Sequence, residues 1–249
     1  EGRDMPTIAS DKLEDVCRQI ALTRGSDAAE AELVATNLVA ANLTGHDSHG
    51  VGMLPRYIKA TFTGGLAINS HAEVVTDQGV ILQINGHAGY GQVIGHEAME
   101  MGIQRARMFG LCVMTIRNSF HLCRIGAWGE QCAAAGMVSM HHVNVVGHPG
   151  MVAPFRGSDA RYATNPYCAV LPATANNPPT VLDFATSEVA AGKVRVAKNK
   201  GVQMAPGALI DSTGQQTTDP WVLYNEPKGA IGPFGGVEAG HKGYGMAMM

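Results

Sequence analysis

Long apolar runs, paired cysteines and a surplus of either charge are all missing from this chain of 249 residues. No stretch of about 18 consecutive apolar residues occurs, so a membrane-spanning helix is not expected. With 18 Lys and Arg against 21 Asp and Glu, the net charge of −3 provides neither the basic footprint of a nucleic-acid binder nor a polybasic membrane patch. The five cysteines (Cys17, Cys112, Cys123, Cys132, Cys168) are scattered and never spaced CxxC. They read as reduced thiols of a cytoplasmic protein and not as a disulfide frame or zinc knuckle. The segment Glu1 to Asp15 is too polar for a secretory signal.

Glycine is what the chain has in excess. Its 31 glycines exceed the usual share of about 7% and imply many tight turns. A 45% hydrophobic content is enough for one large core or two domains.

The N-terminal part reads as helical. Ser10 is placed to cap a first helix that Gly25 can end, and Ser26 starts a second that runs to Gly45. Pro55 suits the first turn of a third helix ending before Gly64-Gly65. Beyond it the pattern changes. Residues 72–76 and 80–84 form a predicted hairpin around Asp77-Gln78-Gly79, followed by a helix over 92–108 and a buried strand over 111–116. A helix over 125–135 and strands over 137–143, 167–171 and 181–184 come next, with Thr186 or Ser187 as cap of a further helix. The fold class is α/β or α+β with an N-terminal helical section. We divide it as 1–75 helical, 76–240 sheet domain and 241–249 the start of a C-terminal section. The apolar run His241 to Met249 has no cap or terminating glycine, and reads as cut off inside an element.

The chemistry concentrates in Gly45-His46-Asp47-Ser48-His49-Gly50. Two imidazoles, a carboxylate and a hydroxyl within four residues offer a general acid, a group to orient it and a donor to substrate. The bracketing glycines favour a tight loop between helices. A second group, Asn118-Ser119-Phe120-His121 with Arg124, follows a strand, where α/β sheets present ligands. Asp183, with Thr186 and Ser187, reads either as a helix cap or as part of a site. Asn165-Pro166 is a turn signal, and His241-Lys242 could hold a phosphate or carboxylate.

Gly89-Tyr90-Gly91-Gln92-Val93-Ile94-Gly95 imitates a dinucleotide loop, but its spacing is GxGxxxG, and the next strand ends at Arg117-Asn118 without an acidic residue. The simpler reading is a glycine turn that lets a helix pack closely, and no Rossmann fold is assigned. His46 and His49, three apart, could share a metal with a carboxylate in a hydrolase, yet no HExxH is present.

Taken together, Gly45 to Gly50, Asn118 to His121, Met151 to Phe155, Thr164-Asn165-Pro166, Asp183 to Ser187 and His241 to Gly245 resemble the malate/L-lactate dehydrogenase family. The GHDSHGVGM form of the first motif is most similar to its hydroxycarboxylate dehydrogenase branch. The resemblance implies a homodimer that interconverts 2-oxo and 2-hydroxy acids with NAD or NADP, NAD being the first choice. It also implies a non-Rossmann nicotinamide-binding domain on a largely antiparallel sheet, and no metal. His49 is then the proton donor, with His121 also in the active site. Phe184, Ala185, Glu188 and Val189 join Asp183, Thr186, Ser187, His241 and Lys242 in the cofactor stretches.

Two departures from the family pattern stand out. Met53 occupies a position where many members have an arginine for the substrate carboxylate, so Arg56 or Arg124 would have to supply that contact, beside Ser48 and Asn165. Cys123 stands where glycine is frequent. The mechanism this implies has His49 protonating the developing alkoxide, Asp183 or Asp47 orienting its ring, and Ser48 donating to substrate. The competing readings are the His46/His49 metal hydrolase and a non-catalytic cofactor-binding protein.

Overall fold

The computed structural model describes residues 7–147 and 149–249, so residues 1–6 of the polar N-terminal segment lie outside the described residues. The described residues form two compact units that divide between Met137 and Val138.

The first unit opens with α1 (Ser10–Arg24) and α2 (Ala28–Leu43), packed on each other as a helical hairpin. Gly25 turns between them at φ 110°, the left-handed geometry that a glycine accepts without strain. The expected caps shift by one residue. Ser10 is already helical and no side chain caps α1, whereas α2 is capped by Asp27, whose side chain accepts from Glu30 N at 2.8 Å. Ser26 is buried instead, beside Glu30 and Tyr90. Two 3₁₀ turns (Asp47–His49 and Val51–Met53) lead into α3 (Leu54–Phe62), with Pro55 in its first turn as expected.

Three strands follow. β1 (Glu73–Gln78) pairs antiparallel with β2 (Ile81–Asn85), and β2 pairs parallel with β3 (Val113–Arg117) after the crossover helix α4 (Gly91–Phe109). β3 is not the buried strand that its apolar sequence predicts. It is an edge strand whose residues alternate between exposed and half-buried, with Val113 51% exposed. α5 (Gly126–Ala134) completes the unit. The core runs through Val34, Leu38, Met53, Tyr57, Tyr90, Val93 and Cys123, so α2, α3, α4 and the loop before α5 share it.

The glycine stretch before α4 works by packing. A Cβ at Gly91 would lie 2.1 Å from the His121 carbonyl oxygen, and one at Gly95 would lie 2.6 Å from the Trp128 ring. Gly91 therefore lets the loop carrying His121 rest on the first turn of α4.

In the second unit, β4 (Ser139–His142), β5 (Tyr167–Leu171) and β6 (Thr180–Phe184) form an antiparallel sheet. α6 (Ala191–Lys200) follows, and then a second antiparallel sheet of β7 (Leu209–Ile210), β8 (Gln216–Thr217) and β9 (Ala230–Ile231). α7 (Gly236–Ala239) and α8 (His241–Met248) end the chain. The core here gathers Val152, Val194, Ala208, Leu209 and Ile231. Five of the six strand pairings among the described residues are antiparallel, which agrees with the mixed, largely antiparallel fold class expected. The helix after β6 is flanked by Ala190 with no side-chain cap, so Thr186 and Ser187 do not cap it. Asp183 lies inside β6 and is not a cap either.

Candidate active site

The two histidines expected from separate motifs meet in the first unit. His49 ends the first 3₁₀ turn and His121 sits in the loop after β3. Their rings stack with centroids 5.5 Å apart at an interplanar angle of 16°. Each Nδ1 is tied to a hydroxyl. Ser48 Oγ lies 2.9 Å from His49 Nδ1, and Tyr57 OH lies 2.7 Å from His121 Nδ1. Ser48, expected to donate to substrate, is thus engaged with the neighbouring imidazole.

The loop is fixed from α2. Asn42 Nδ2 donates to Asp47 Oδ1 at 2.6 Å, while Asn42 Oδ1 accepts from Val51 N at 2.8 Å. A Cβ on Gly50 would lie 2.0 Å from that same amide oxygen. Asp47 is therefore bound to Asn42 at the loop base. His46 contacts the Thr44 carbonyl at 3.2 Å through Nδ1, and no group of three or more potential metal ligands converges among the described residues.

Beneath the imidazoles lies a polar cluster that sequence reading mostly missed. Tyr57 is fully buried and accepts from Gln92 Nε2 at 3.3 Å. Burial pushes its phenol far above the usual range, so it stays protonated. Cys123 takes a left-handed conformation (φ 60°) and donates its thiol to the His49 carbonyl at 2.9 Å. That backbone geometry gives a physical reason for a glycine at the same position. Burial pushes the thiol up to about 11, which makes it a neutral hydrogen-bonding group and not a nucleophile. Gln92 had a readable signal, being a polar residue beside Val93 and Ile94 at the start of a buried helix face. Nothing local distinguishes Tyr57 from an ordinary core aromatic.

The carboxylate-binding candidates separate. Arg124 is 8% exposed, and both its terminal nitrogens bond Glu130, at 2.8 and 2.6 Å. Arg56 is exposed, one residue before Tyr57 on α3. Met53 is buried in the core. Asn118 and Ser119, next to His121, line an open cleft of about 300 Å³ together with Asn85, His87 and Phe120.

The remaining candidates are in the second unit. Asp183 stands on β6 in a cross-strand row with Cys168 of β5 and His141 of β4. Burial lowers the His141 imidazole, and Asp183 partly offsets this. Thr186 Oγ1 donates to the Thr164 carbonyl at 3.1 Å, and Ser187 Oγ to the Val189 carbonyl at 2.8 Å. Glu188 accepts from Gly235 N at 2.9 Å, Phe184 packs on Tyr167 and Phe234, and Ala185 is half-buried. Asn165 is buried with φ 27°, accepting from Val145 N at 3.1 Å. His241, against Phe155, and Lys242 are exposed at the start of α8.

Two stacked imidazoles, each anchored by a hydroxyl, thus sit on a mixed sheet-and-helix scaffold. Residues 8–249 match the model of the malate/L-lactate dehydrogenase family, and the chain belongs to that family. It is 51% identical over 225 residues to hydroxycarboxylate dehydrogenase B of Escherichia coli K12, covering 90% of this chain and 61% of that protein. It is 40% identical over 219 residues to the L-lactate dehydrogenase of Cupriavidus necator, covering 88% and 62%. The solved malate dehydrogenase of Entamoeba histolytica superposes with a TM-score of 0.90 at 25% identity, covering 98% of this chain and 68% of that one. The chain thus spans about three fifths of the length of the curated relatives it matches.

Proposed function

We propose that the protein reversibly reduces a 2-oxo acid to a 2-hydroxy acid with a nicotinamide cofactor, NAD before NADP. The stacked His49–His121 pair carries this reading, since it sets two imidazoles, each tied to a hydroxyl, in one polar loop cluster. The names of the relatives, hydroxycarboxylate, L-lactate and malate dehydrogenases, support the substrate class. Family membership leaves the metal-hydrolase reading without support.

In this reading His49, as imidazolium, gives its proton to the substrate oxygen, because an imidazole both donates and accepts near neutral pH. Ser48 orients the ring through Nδ1. Asn42 fixes the loop so that the ring does not drift. Arg56 is the group assigned to the substrate carboxylate, as Arg124 is already bonded to Glu130.

The residues of the second unit suit a phosphate-bearing cofactor. Lys193, Arg195, Lys198 and Lys200 on α6 and Lys242 on α8 provide cations, and the Asp183 carboxylate can accept from a ribose hydroxyl. Segment 183–189 with His241 and Lys242 would hold the cofactor, which when bound supplies the hydride. The working form in this reading is a cytoplasmic homodimer. Five free thiols support a reducing compartment, and no helix among the described residues is long and apolar enough to cross a membrane.

The test is consumption of NADH and NADPH in parallel with a panel of aliphatic and aromatic 2-oxo acids. Turnover is expected. A folded protein silent with both cofactors would refute the assignment.

A further inference from the structure

Two imidazoles in one site raise the question of which one exchanges the proton. Their hydroxyl partners differ in a way that answers it. Ser48 is half-buried, so its hydroxyl can rotate, donating to a neutral His49 and accepting from a protonated one. Tyr57 has no such freedom. It is completely buried, and one of its lone pairs is taken by Gln92 Nε2 at 3.3 Å.

The orientation of the Gln92 amide is fixed by Cys123. The thiol hydrogen is spent on the His49 carbonyl at 2.9 Å, so the sulfur offers only lone pairs to its other neighbours. The Gln92 side chain is one of them, and the Tyr57 hydroxyl is another. The NH₂ end of Gln92 therefore faces the sulfur and the phenol oxygen together. Its carbonyl Oε1 has no partner and is buried, the arrangement this orientation leaves behind. A phenol that receives an N–H from Gln92 must send its own hydrogen either to the Cys123 sulfur, which it also meets, or to His121 Nδ1 2.7 Å away. A thiol sulfur is a weak acceptor and a neutral imidazole nitrogen a strong one, so His121 takes it.

We propose that Gln92 is a positioning residue that, through Tyr57, holds His121 as the neutral Nε2–H tautomer, so that His121 serves as a fixed hydrogen-bond donor and His49 alone exchanges the catalytic proton. The tautomer follows from the buried geometry, while the catalytic consequence rests on the dehydrogenase reading above. Protonating His121 on Nδ1 would turn the phenol hydrogen away from its acceptor and strand it in the core. The other charged and titratable groups nearby act in the same sense or are neutral. His49 stacks on His121, Arg56 is felt at Tyr57, Arg124 is felt at Cys123 while paired with Glu130, and Cys123 is a neutral thiol.

The experiment is nitrogen NMR of the imidazoles in the intact, ¹⁵N-histidine-labelled protein, with His121 assigned by its loss in His121→Gln. The expected spectrum shows His121 with hydrogen on Nε2 and none on Nδ1 across neutral pH. Hydrogen on Nδ1, or an imidazolium there at neutral pH, would overturn the proposal. In Gln92→Glu, the carboxylate accepts the phenol hydrogen and His121 should switch to Nδ1–H, with kcat falling on the order of 10²- to 10⁴-fold, the range of a general acid–base contribution, and cofactor KM little changed. Tyr57→Phe, which keeps the packing, should leave His121 a mixture of tautomers. An unchanged Nε2–H signal in both variants would refute the relay. The NMR readout needs no turnover, so a protein with the expected tautomer and no reductase activity would sink the dehydrogenase reading alone.

Discussion

His49 and His121, 72 residues apart in sequence, stack 5.5 Å from each other with rings 16° from parallel. Two imidazoliums at that separation repel by about 3 kcal/mol at an effective dielectric near 20. The pair therefore takes up one extra proton far more readily than two, so an imidazolium at His49 helps keep His121 neutral. His49→Ala should lower kcat about 10²- to 10⁴-fold, the range for loss of a general acid, with the cofactor KM nearly unchanged. Steady-state kinetics in both directions check this, and near-normal turnover in the variant would remove His49 from the mechanism.

Substrate choice follows from the cations. Met53 is buried in the core and Arg124 is bonded to Glu130, and in the proposed reading the exposed Arg56 meets a single substrate carboxylate. A bulkier 2-oxo acid with one carboxylate, such as phenylpyruvate, should have a higher kcat/KM than oxaloacetate. A clear preference for oxaloacetate would contradict this assignment.

Cys123 links the site to alkaline stability. Its thiol sits at about 11 in the folded chain against an ordinary 9.0. Below pH 9 the thiol is neutral in both states and its contribution is fully present. Between pH 9 and 11 the unfolded chain releases the proton and the folded chain does not, so that contribution, about 2–3 kcal/mol, is lost as pH rises. Denaturant titrations should show stability falling over that window, and Cys123→Ala should flatten the fall. Thiol reagents at neutral pH should leave Cys123 unmodified in the native protein.

Glu30 is a buried carboxyl raised above its ordinary 4.5, chiefly by desolvation. The sign is again that of a raised group. Its contribution is present below 4.5 and lost as pH climbs through the folded value, so at neutral pH the ionised form burdens the fold. Oε2 accepts from Asn69 N at 2.8 Å, whereas Ser26 Oγ and Tyr90 OH lack partners. Glu30→Gln keeps the first bond and adds a donor for the others, and should stabilise the protein by about 1 kcal/mol at pH 7. Thermal melts at pH 4 and pH 7 check it; a gain confined to pH 4 would be the wrong sign.

The sequence by itself determined the helical start, the β1–β2 hairpin and the family, because turn glycines, periodic apolar residues and the GHDSHG and NSFH stretches are local signals. The glycines before α4 were legible as packing positions too, since Gly91 and Gly95 are where a Cβ would meet the His121 carbonyl and the Trp128 ring. Caps were less legible. Ser26 and Asp27 are both good cap residues, and only the burial of Ser26 beside Glu30 and Tyr90 left the cap to Asp27.

Tertiary structure alone decided the site's wiring. The pairing of His49 with Ser48, of His121 with Tyr57, and the seating of Tyr57 on Gln92 depend on which α3 and α4 side chains share a core. The same holds for Arg124, an attractive substrate clamp by residue type that the fold commits to Glu130. Hydrogen-bond partners in a buried cluster are fixed by where neighbouring elements place donors and acceptors away from water, and sequence spacing does not encode that.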